Sequence, residues 1–221
     1  MSELLRIAID GPSSAGKSTM AKRLAKDLAI DYIDTGAMYR ALALKIFRTG
    51  IDPNNAEQLA TLLATTDVDY AGGSIFLDGE NVDAFIRTQE VSEMASVSSA
   101  IPAVREKLVA IQKAMGQRKS LVMDGRDIGT NVLKDVAEIK FFLTASSLVR
   151  AKRRALEYAE KGLPCNVEEV QKDLEARDYR DSHRETNPLK QADDAILIDS
   201  SDMNIEEVVT AMKEIIKEKG L

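Results

Sequence analysis

The tightest constraint on this chain lies in its first turn from strand to helix. An apolar run, Leu4 to Ile9, stops at Asp10-Gly11-Pro12-Ser13-Ser14-Ala15-Gly16, and a helical pattern with Met20, Leu24 and Leu28 on one stripe follows. Gly11 to Ser18 reads G-x-x-x-x-G-K-S, the phosphate-binding loop pattern, placed after a strand and opening a helix as its physics requires. Glycines let backbone amides turn inward around phosphate oxygens, and the helix start adds partial positive charge. Lys17 is then placed to reach the β/γ oxygens and Ser18 to hold Mg²⁺. The guanine-reading N-K-x-D element and the L-S-G-G-Q transporter signature are both missing from the sequence.

Further short apolar runs, Leu121 to Met123, Ile139 to Leu143 and Ala195 to Ile198, alternate with helix-like segments, so the spacing predicts a parallel sheet covered by helices. Helical patterns are expected from Ala37 to Phe47 and from Asp52 to Leu63, the latter with Asp52 as N-cap and Pro53 at the first helical position. Between 65 and about 100 the rhythm breaks. Val68-Asp69-Tyr70, Ile75-Phe76-Leu77 and Val82 are separated by Gly72-Gly73 and Asp78-Gly79, the turn chemistry of a small antiparallel meander inserted in the α/β body. The last stretch, Ile205 to Ile216, carries apolar residues at helical spacing, opened by Asn204 with Glu207 three residues on.

Composition narrows the partners. With 221 residues, 44% hydrophobic and a formal net charge of −6, the chain is one enzyme-sized unit, or one with an insertion. A net-acidic chain is a poor match for coating nucleic acid or anionic membrane, which demands clustered Lys and Arg over a broad face. The single cysteine, Cys165, makes no intrachain disulfide. No apolar run approaches the ~20 residues of a membrane span, and the start Met1-Ser2-Glu3 shows no signal-peptide pattern, so a cytoplasmic address is expected.

Four further groups carry candidate chemistry. Asp34-Thr35-Gly36-Ala37-Met38-Tyr39-Arg40 would put a hydroxyl and a guanidinium beyond a strand end, where ligands of α/β sheets sit, unless Arg40 is only a solvated helix residue. Asp124 follows the strand at 121–123, a place suited to a carboxylate that meets Mg²⁺ through water or, alternatively, caps the turn. Arg150, Arg153 and Arg154 share one helix face, and so do Arg177, Arg180, Asp181 and Arg184. Each stripe alone reads as a solvated face. Together with the loop at 11–18 they suit phosphoryl transfer, which needs positive charge over donor, acceptor and transition state.

With I-D-G-P-S-S-A-G-K-S-T, D-T-G-A-M-Y-R at 34–40, D-G-R-D-I-G-T at 124–130 and R-D-x-x-D-x-x-R at 177–184, the chain resembles the bacterial cytidylate kinases of the nucleoside monophosphate kinase group. The resemblance implies a P-loop kinase fold: a five-stranded parallel sheet flanked by helices, a monophosphate-binding region over 35–105 that includes the meander, and a short lid over 146–165. It implies ATP on Gly11, Pro12, Ser13, Ser14, Ala15, Gly16, Lys17, Ser18 and Thr19, with Mg²⁺ on Ser18 and, through water, Asp124. CMP or dCMP would be met at the ribose by Thr35, Arg177 and Asp181, at the phosphate by Arg40, Arg126 and Arg184, and at the cytosine by Ser96, Arg105 and Asp127. Lys17, Arg126, Arg184, Arg150 and Arg154 would stabilise the transferring group, and the family points to a monomer. Asp127 keeps a competing reading as a metal organiser beside Asp124. A kinase for another acceptor, such as a different monophosphate or dephospho-coenzyme A, and a regulatory ATP-binding module are the alternatives.

Overall fold

The computed structural model describes residues 4–160 and 162–221. The expectation for Met1-Ser2-Glu3 lies outside these residues. By their contacts the described residues divide into two compact units, one running up to Tyr32 and again from Lys119 onward, the other Ile33–Arg118.

The first unit is built on β1 (Arg6–Asp10), followed by α1 (Lys17–Asp27) and then β2 (Asp31–Asp34), along which the chain passes into the second unit. After the second unit come β6 (Leu121–Gly125), β7 (Ile139–Thr144), α6 (Ser147–Glu160), α7 (Val167–His183), β8 (Ile196–Asp199) and α8 (Ile205–Glu218). The five-stranded sheet runs in the order β2-β6-β1-β7-β8, with β1 parallel to both β6 and β7, and β7 parallel to β8. β1 therefore lies at the centre with its end flanked by the ends of β6 and β7, the place where an open α/β sheet binds ligands. All five residues of β6 are buried, as expected of a strand covered on both faces. Ile7, Ile9, Val122, Phe141 and Leu143 from the sheet pack with Met20 and Leu24 of α1 and Val208, Met212 and Ile216 of α8. The expected capping box on α8 is present: the Asn204 side chain accepts from the Glu207 amide while Glu207 accepts from the Asn204 amide. Among the described residues, no helix is long and apolar enough to cross a membrane.

The second unit contains α2 (Thr35–Thr49), α3 (Ala56–Ala64), the antiparallel strands β3 (Val68–Ala71), β4 (Ser74–Leu77) and β5 (Glu80–Asn81), then α4 (Gln89–Ser98) and α5 (Pro102–Arg118). The meander is confined to 68–81; the remainder of the expected insertion holds α4. Gly72 and Gly73 both have positive φ (60° and 82°), as do Asp78 and Gly79 (50° and 82°), so each dipeptide makes the tight turn its residues predict. α2 is buried through Met38, Leu42 and Ile46 and packs on α4, β3 and β4.

One helix boundary differs from the sequence expectation. Asp52 does not cap α3, and Pro53 is not in its first turn: the N-cap is Asn55, whose side chain accepts from the Gln58 amide. The Asp52 carboxylate accepts instead from the Asn54 amide two residues on, an Asx turn that competes with helix initiation.

The strand-to-loop turn depends on glycine. At Gly11 φ is +149°, and an added Cβ would lie 1.9 Å from the Leu143 carbonyl oxygen, which is backbone and fixed in β7. Gly11→Ala is expected to cost at least about 3 kcal/mol in urea unfolding, the sum of backbone strain and overpacking. Gly50→Ala, at φ +67° with open space around it, is expected to cost only about 1 kcal/mol. Equal losses for the two variants would contradict the close approach.

Candidate active site

At the end of β1 the phosphate-binding loop curls as its sequence predicts, with Ser14 (φ 58°) and Gly16 (φ 91°) in left-handed conformation before α1 begins at Lys17. Lys17 is buried, and its Nζ donates to the Pro12 carbonyl at 2.7 Å, folding back over the loop. Burial, then the neighbouring Arg126 charge, pull its pKa down from 10.5 to about 7, against the pull of Asp124, Asp10 and Asp181. Ser18 Oγ donates to Asp124 Oδ2 at 2.9 Å, and the Tyr32 hydroxyl donates to Asp124 Oδ1 at 2.8 Å. A helix-start hydroxyl on a buried carboxylate fits a small hard cation that keeps several of its waters. Among the described residues no group of three or more His, Cys, Asp or Glu could hold a metal, so a metal here would rely on Ser18, Asp124 and bound phosphate.

Sequence reasoning passed over Asp10, which fixes this loop from below. Its carboxylate is buried and accepts from the Ile128 amide at 2.8 Å and the Gly129 amide at 2.7 Å. These amides open a π-helical turn, Ile128–Val132, directly after Asp127. Asp10 thereby ties the end of β1 to the segment that carries Arg126 and Asp127. Burial raises its pKa from 3.8 to about 6; the Gly129 and Ile128 amides and Lys17 oppose the rise, while Asp127 adds to it. The available signal was a carboxylate ending an apolar strand.

The predicted acceptor residues of the first unit converge. Arg126 Nε donates to Asp181 Oδ2 at 2.8 Å and its Nη2 to Ser13 Oγ at 2.9 Å. Burial opposes the Arg126 charge, yet Asp181, Asp178 and Asp124 more than restore it and hold its pKa above the ordinary value. Asp181, partly desolvated, is nevertheless held below the usual carboxylate range by Arg126, Arg177 and Arg184. Arg184 Nη2 donates to Asp127 Oδ1 at 3.0 Å, and Asn131 donates to Asp127 Oδ2 at 3.0 Å. His183 is exposed and stacked on Tyr179 with ring centroids 3.9 Å apart, its Nδ1 within hydrogen-bond distance of the Tyr179 carbonyl and Ser182 Oγ.

The three arginines of α6 part company despite their common face. Arg150 is buried and donates to the Ala145 and Ser13 carbonyls and to Asp178. Arg154 reaches Ser14 Oγ at 3.2 Å. Arg153 donates to Ser200 Oγ and the Ser200 carbonyl, bracing the turn after β8.

Within the second unit, Asp34 caps α2 by accepting from the Ala37 amide, and its other oxygen is 3.3 Å from Arg40 Nη2 and 3.5 Å from Arg87 Nη2. Arg40 is therefore tied to a carboxylate rather than simply solvated. Thr35 is buried at the first position of α2. Arg105 is the largest fully buried side chain, 2% exposed; it donates to the Ser99 carbonyl and lies 5.6 Å from the Tyr39 ring centroid. Ser96 is half-buried on α4, its carbonyl accepting from Ser99 Oγ.

The buried lysine has a consequence for stability. Below pH 7 both folded and unfolded chains carry the Lys17 charge, and the folded state bears its full desolvation cost. Between about 7 and 10.5 the folded protein releases a proton that the unfolded chain keeps, so this cost declines as pH rises. Asp10 is ionised in both states above about 6 and adds only a constant. Lys17→Met is expected to raise Tm by at least about 3 °C at pH 6.5, on a scale of roughly 2–4 °C per kcal/mol. The gain should shrink by pH 9. A gain equal at both pH values would contradict the buried-charge account.

A family model for cytidylate kinase matches residues 7–218. The chain is 46% identical over 220 residues to a cytidylate kinase of Lactobacillus johnsonii, covering 98% of this chain and 95% of that one. It is 48% identical over 213 residues to a cytidylate kinase of Clostridium botulinum (strain Loch Maree / Type A3), covering 96% and 98%. In structure it is similar to shikimate kinase from Acinetobacter baumannii in complex with shikimate, at a TM-score of 0.51 with 18% identity, covering 99% of this chain and 96% of that one. The structural likeness speaks for the P-loop kinase fold alone. Sequence likeness along nearly the whole chain goes further: the protein belongs to the cytidylate kinase family and is an enzyme of that type, a nucleoside monophosphate kinase.

Proposed function

We propose that the protein transfers the γ-phosphoryl group of ATP to CMP or dCMP, giving ADP and the corresponding diphosphate. The observation that carries this reading is Arg126, whose guanidinium is bonded at once to Ser13 of the phosphate-binding loop and to Asp181 of α7. A group suited to an acceptor phosphate thus stands one side chain from the loop suited to a donor. In this reading ATP lies on Gly11 to Thr19, and Ser18 with Asp124, through water, holds Mg²⁺. The bound ion supplies charge neutralisation across the donor phosphates. Arg40, Arg126 and Arg184 take the CMP phosphate, while Thr35, Arg177 and Asp181 take the ribose. Ser96, Arg105 and Asp127 read cytosine. Residues 35–105 form the monophosphate-binding region, and 146–165, with Arg150 and Arg154, the lid.

No general base is needed, because the CMP phosphate is already ionised near pH 7 and attacks the γ-phosphorus itself. The chain's contribution is in-line positioning and charge stabilisation by Lys17 and the arginines. Closure over both nucleotides excludes water, the competing acceptor. The net charge of −6 supports small nucleotides rather than nucleic acid as partners, and the family likeness supports a cytoplasmic monomer.

ADP release measured with CMP, dCMP, UMP, AMP and dephospho-coenzyme A in turn tests the reading. CMP is expected to give the highest kcat/KM, and ATP turnover unaffected by every acceptor would overturn it. Asp127→Ala refines the test, since a carboxylate attracts the N4 amino group of cytosine and repels the O4 of uracil. The variant should lower kcat/KM for CMP at least about tenfold and leave UMP nearly unchanged. Equal loss for both, dependent on Mg²⁺ concentration, would make Asp127 a metal organiser instead.

A further inference from the structure

Every polar atom of Ser13 is held, directly or through one arginine, by a carboxylate of α7. The Ser13 amide donates to Asp178 Oδ1 at 2.9 Å. The Ser13 carbonyl accepts from Arg150 Nη1 at 3.0 Å, and that same nitrogen donates to Asp178 Oδ2. Ser13 Oγ accepts from Arg126, which is paired with Asp181. Asp178 and Asp181 stand three residues apart on α7 and therefore on one face. Arg150 is further pinned by the Ala145 carbonyl at 2.9 Å, so the node joins three elements: the donor loop, the start of α6 and the C-terminal half of α7.

We propose that Asp178 is a positioning residue that makes occupancy of the donor and acceptor sites mutually reinforcing. The proposal rests on the reading that Arg177, Asp181 and Arg184 meet CMP while the loop meets ATP. Asp178 shares α7 with Arg177 and Asp181, with Arg184 in extended conformation at the helix's C-cap rather than on the expected helix face, and it holds the loop by its backbone. A shift of α7 on binding CMP is then transmitted to the Ser13 peptide, and ordering of the loop by ATP is transmitted back. Such coupling is reciprocal by thermodynamic necessity, and a rigid hydrogen-bonded link is a physical carrier for it. The competing role is simpler: Asp178 neutralises the buried Arg150 and does nothing else. The two roles differ in what they move. Charge neutralisation affects stability and weakens both ligands alike, whereas a link sets the ratio between affinities.

The test measures CMP affinity calorimetrically, alone and with a saturating non-hydrolysable ATP analogue. Wild type is expected to bind CMP at least about fivefold tighter with the analogue, the lower end of ordinary coupling. Asp178→Ala should bring that ratio close to one, keep CMP affinity alone within about threefold of wild type, and lower kcat at least about tenfold. Asp178→Leu/Arg150→Met replaces the pair by apolar side chains, a change that buried pairs often tolerate, and should lose the coupling as well. A wild-type ratio retained in either variant overturns the proposal, and so does a uniform weakening of both ligands with the ratio intact. Absence of coupling in wild type also overturns it. The reaction itself stands or falls separately, on CMP-dependent ADP release by wild type.

Discussion

Keeping several cations in a desolvated place without a counter-ion is prohibitively costly, and the first unit is organised around meeting that cost. Lys17, Arg126, Arg150 and Arg184 all lie near the ends of β1, β6 and β7 or on the helices beyond them, and each arginine is paired with a carboxylate: Asp181, Asp178 and Asp127 respectively. Lys17 leans on a loop carbonyl and gives way in pKa instead. A phosphate needs the same donors as these carboxylates. In the proposed reading a phosphate displaces the carboxylates from Arg126 and Arg184, which their pairs keep ordered and charged beforehand, while Arg150 stays on Asp178; this reduces the reorganisation left for the reacting complex.

The fold supplies the place for this network. β1 sits between β6 and β7 with its last residue, Asp10, buried, so that its carboxylate needs partners from the protein, and the Ile128 and Gly129 amides provide them. Gly11 permits the turn because no side chain fits against the Leu143 carbonyl. From there the loop reaches α1, and Ser18 reaches Asp124 on the neighbouring strand. A sheet residue, a glycine and a helix-start hydroxyl thus set the positions of groups far apart in sequence.

Much of this was legible before any coordinates. Periodicity and punctuation located the strands at 121, 139 and 196, the C-terminal helix with its capping box, and both hairpin turns, because in each case one local rule acts without competition. Asp52 shows the limit: an Asx turn and an N-cap use the same side-chain oxygen, and sequence does not say which amide wins. The proposed site residues come from motif and resemblance, and their hydrogen-bond partners come only from the structure. Nothing in the spacing of Arg150, Arg153 and Arg154 says that one is buried on Ser13, one braces Ser200 and one touches Ser14. Asp10 and Asp178, the latter inside the motif at 177–184, received no role for a related reason: which backbone amide each accepts from is a tertiary fact that residue type alone does not encode.

The central claim is that the carboxylate-paired arginines are phosphate sites held in reserve, and a calorimetric comparison of CMP with cytidine tests it most directly. Two charge-assisted hydrogen bonds at roughly 1.5–3 kcal/mol each should make CMP bind at least about 100-fold more tightly than cytidine. In Arg184→Lys, which loses the planar fork, the preference should shrink about tenfold while cytidine affinity stays the same. Cytidine binding wild type as tightly as CMP would contradict the account, because the arginines would then be serving their carboxylates and nothing else.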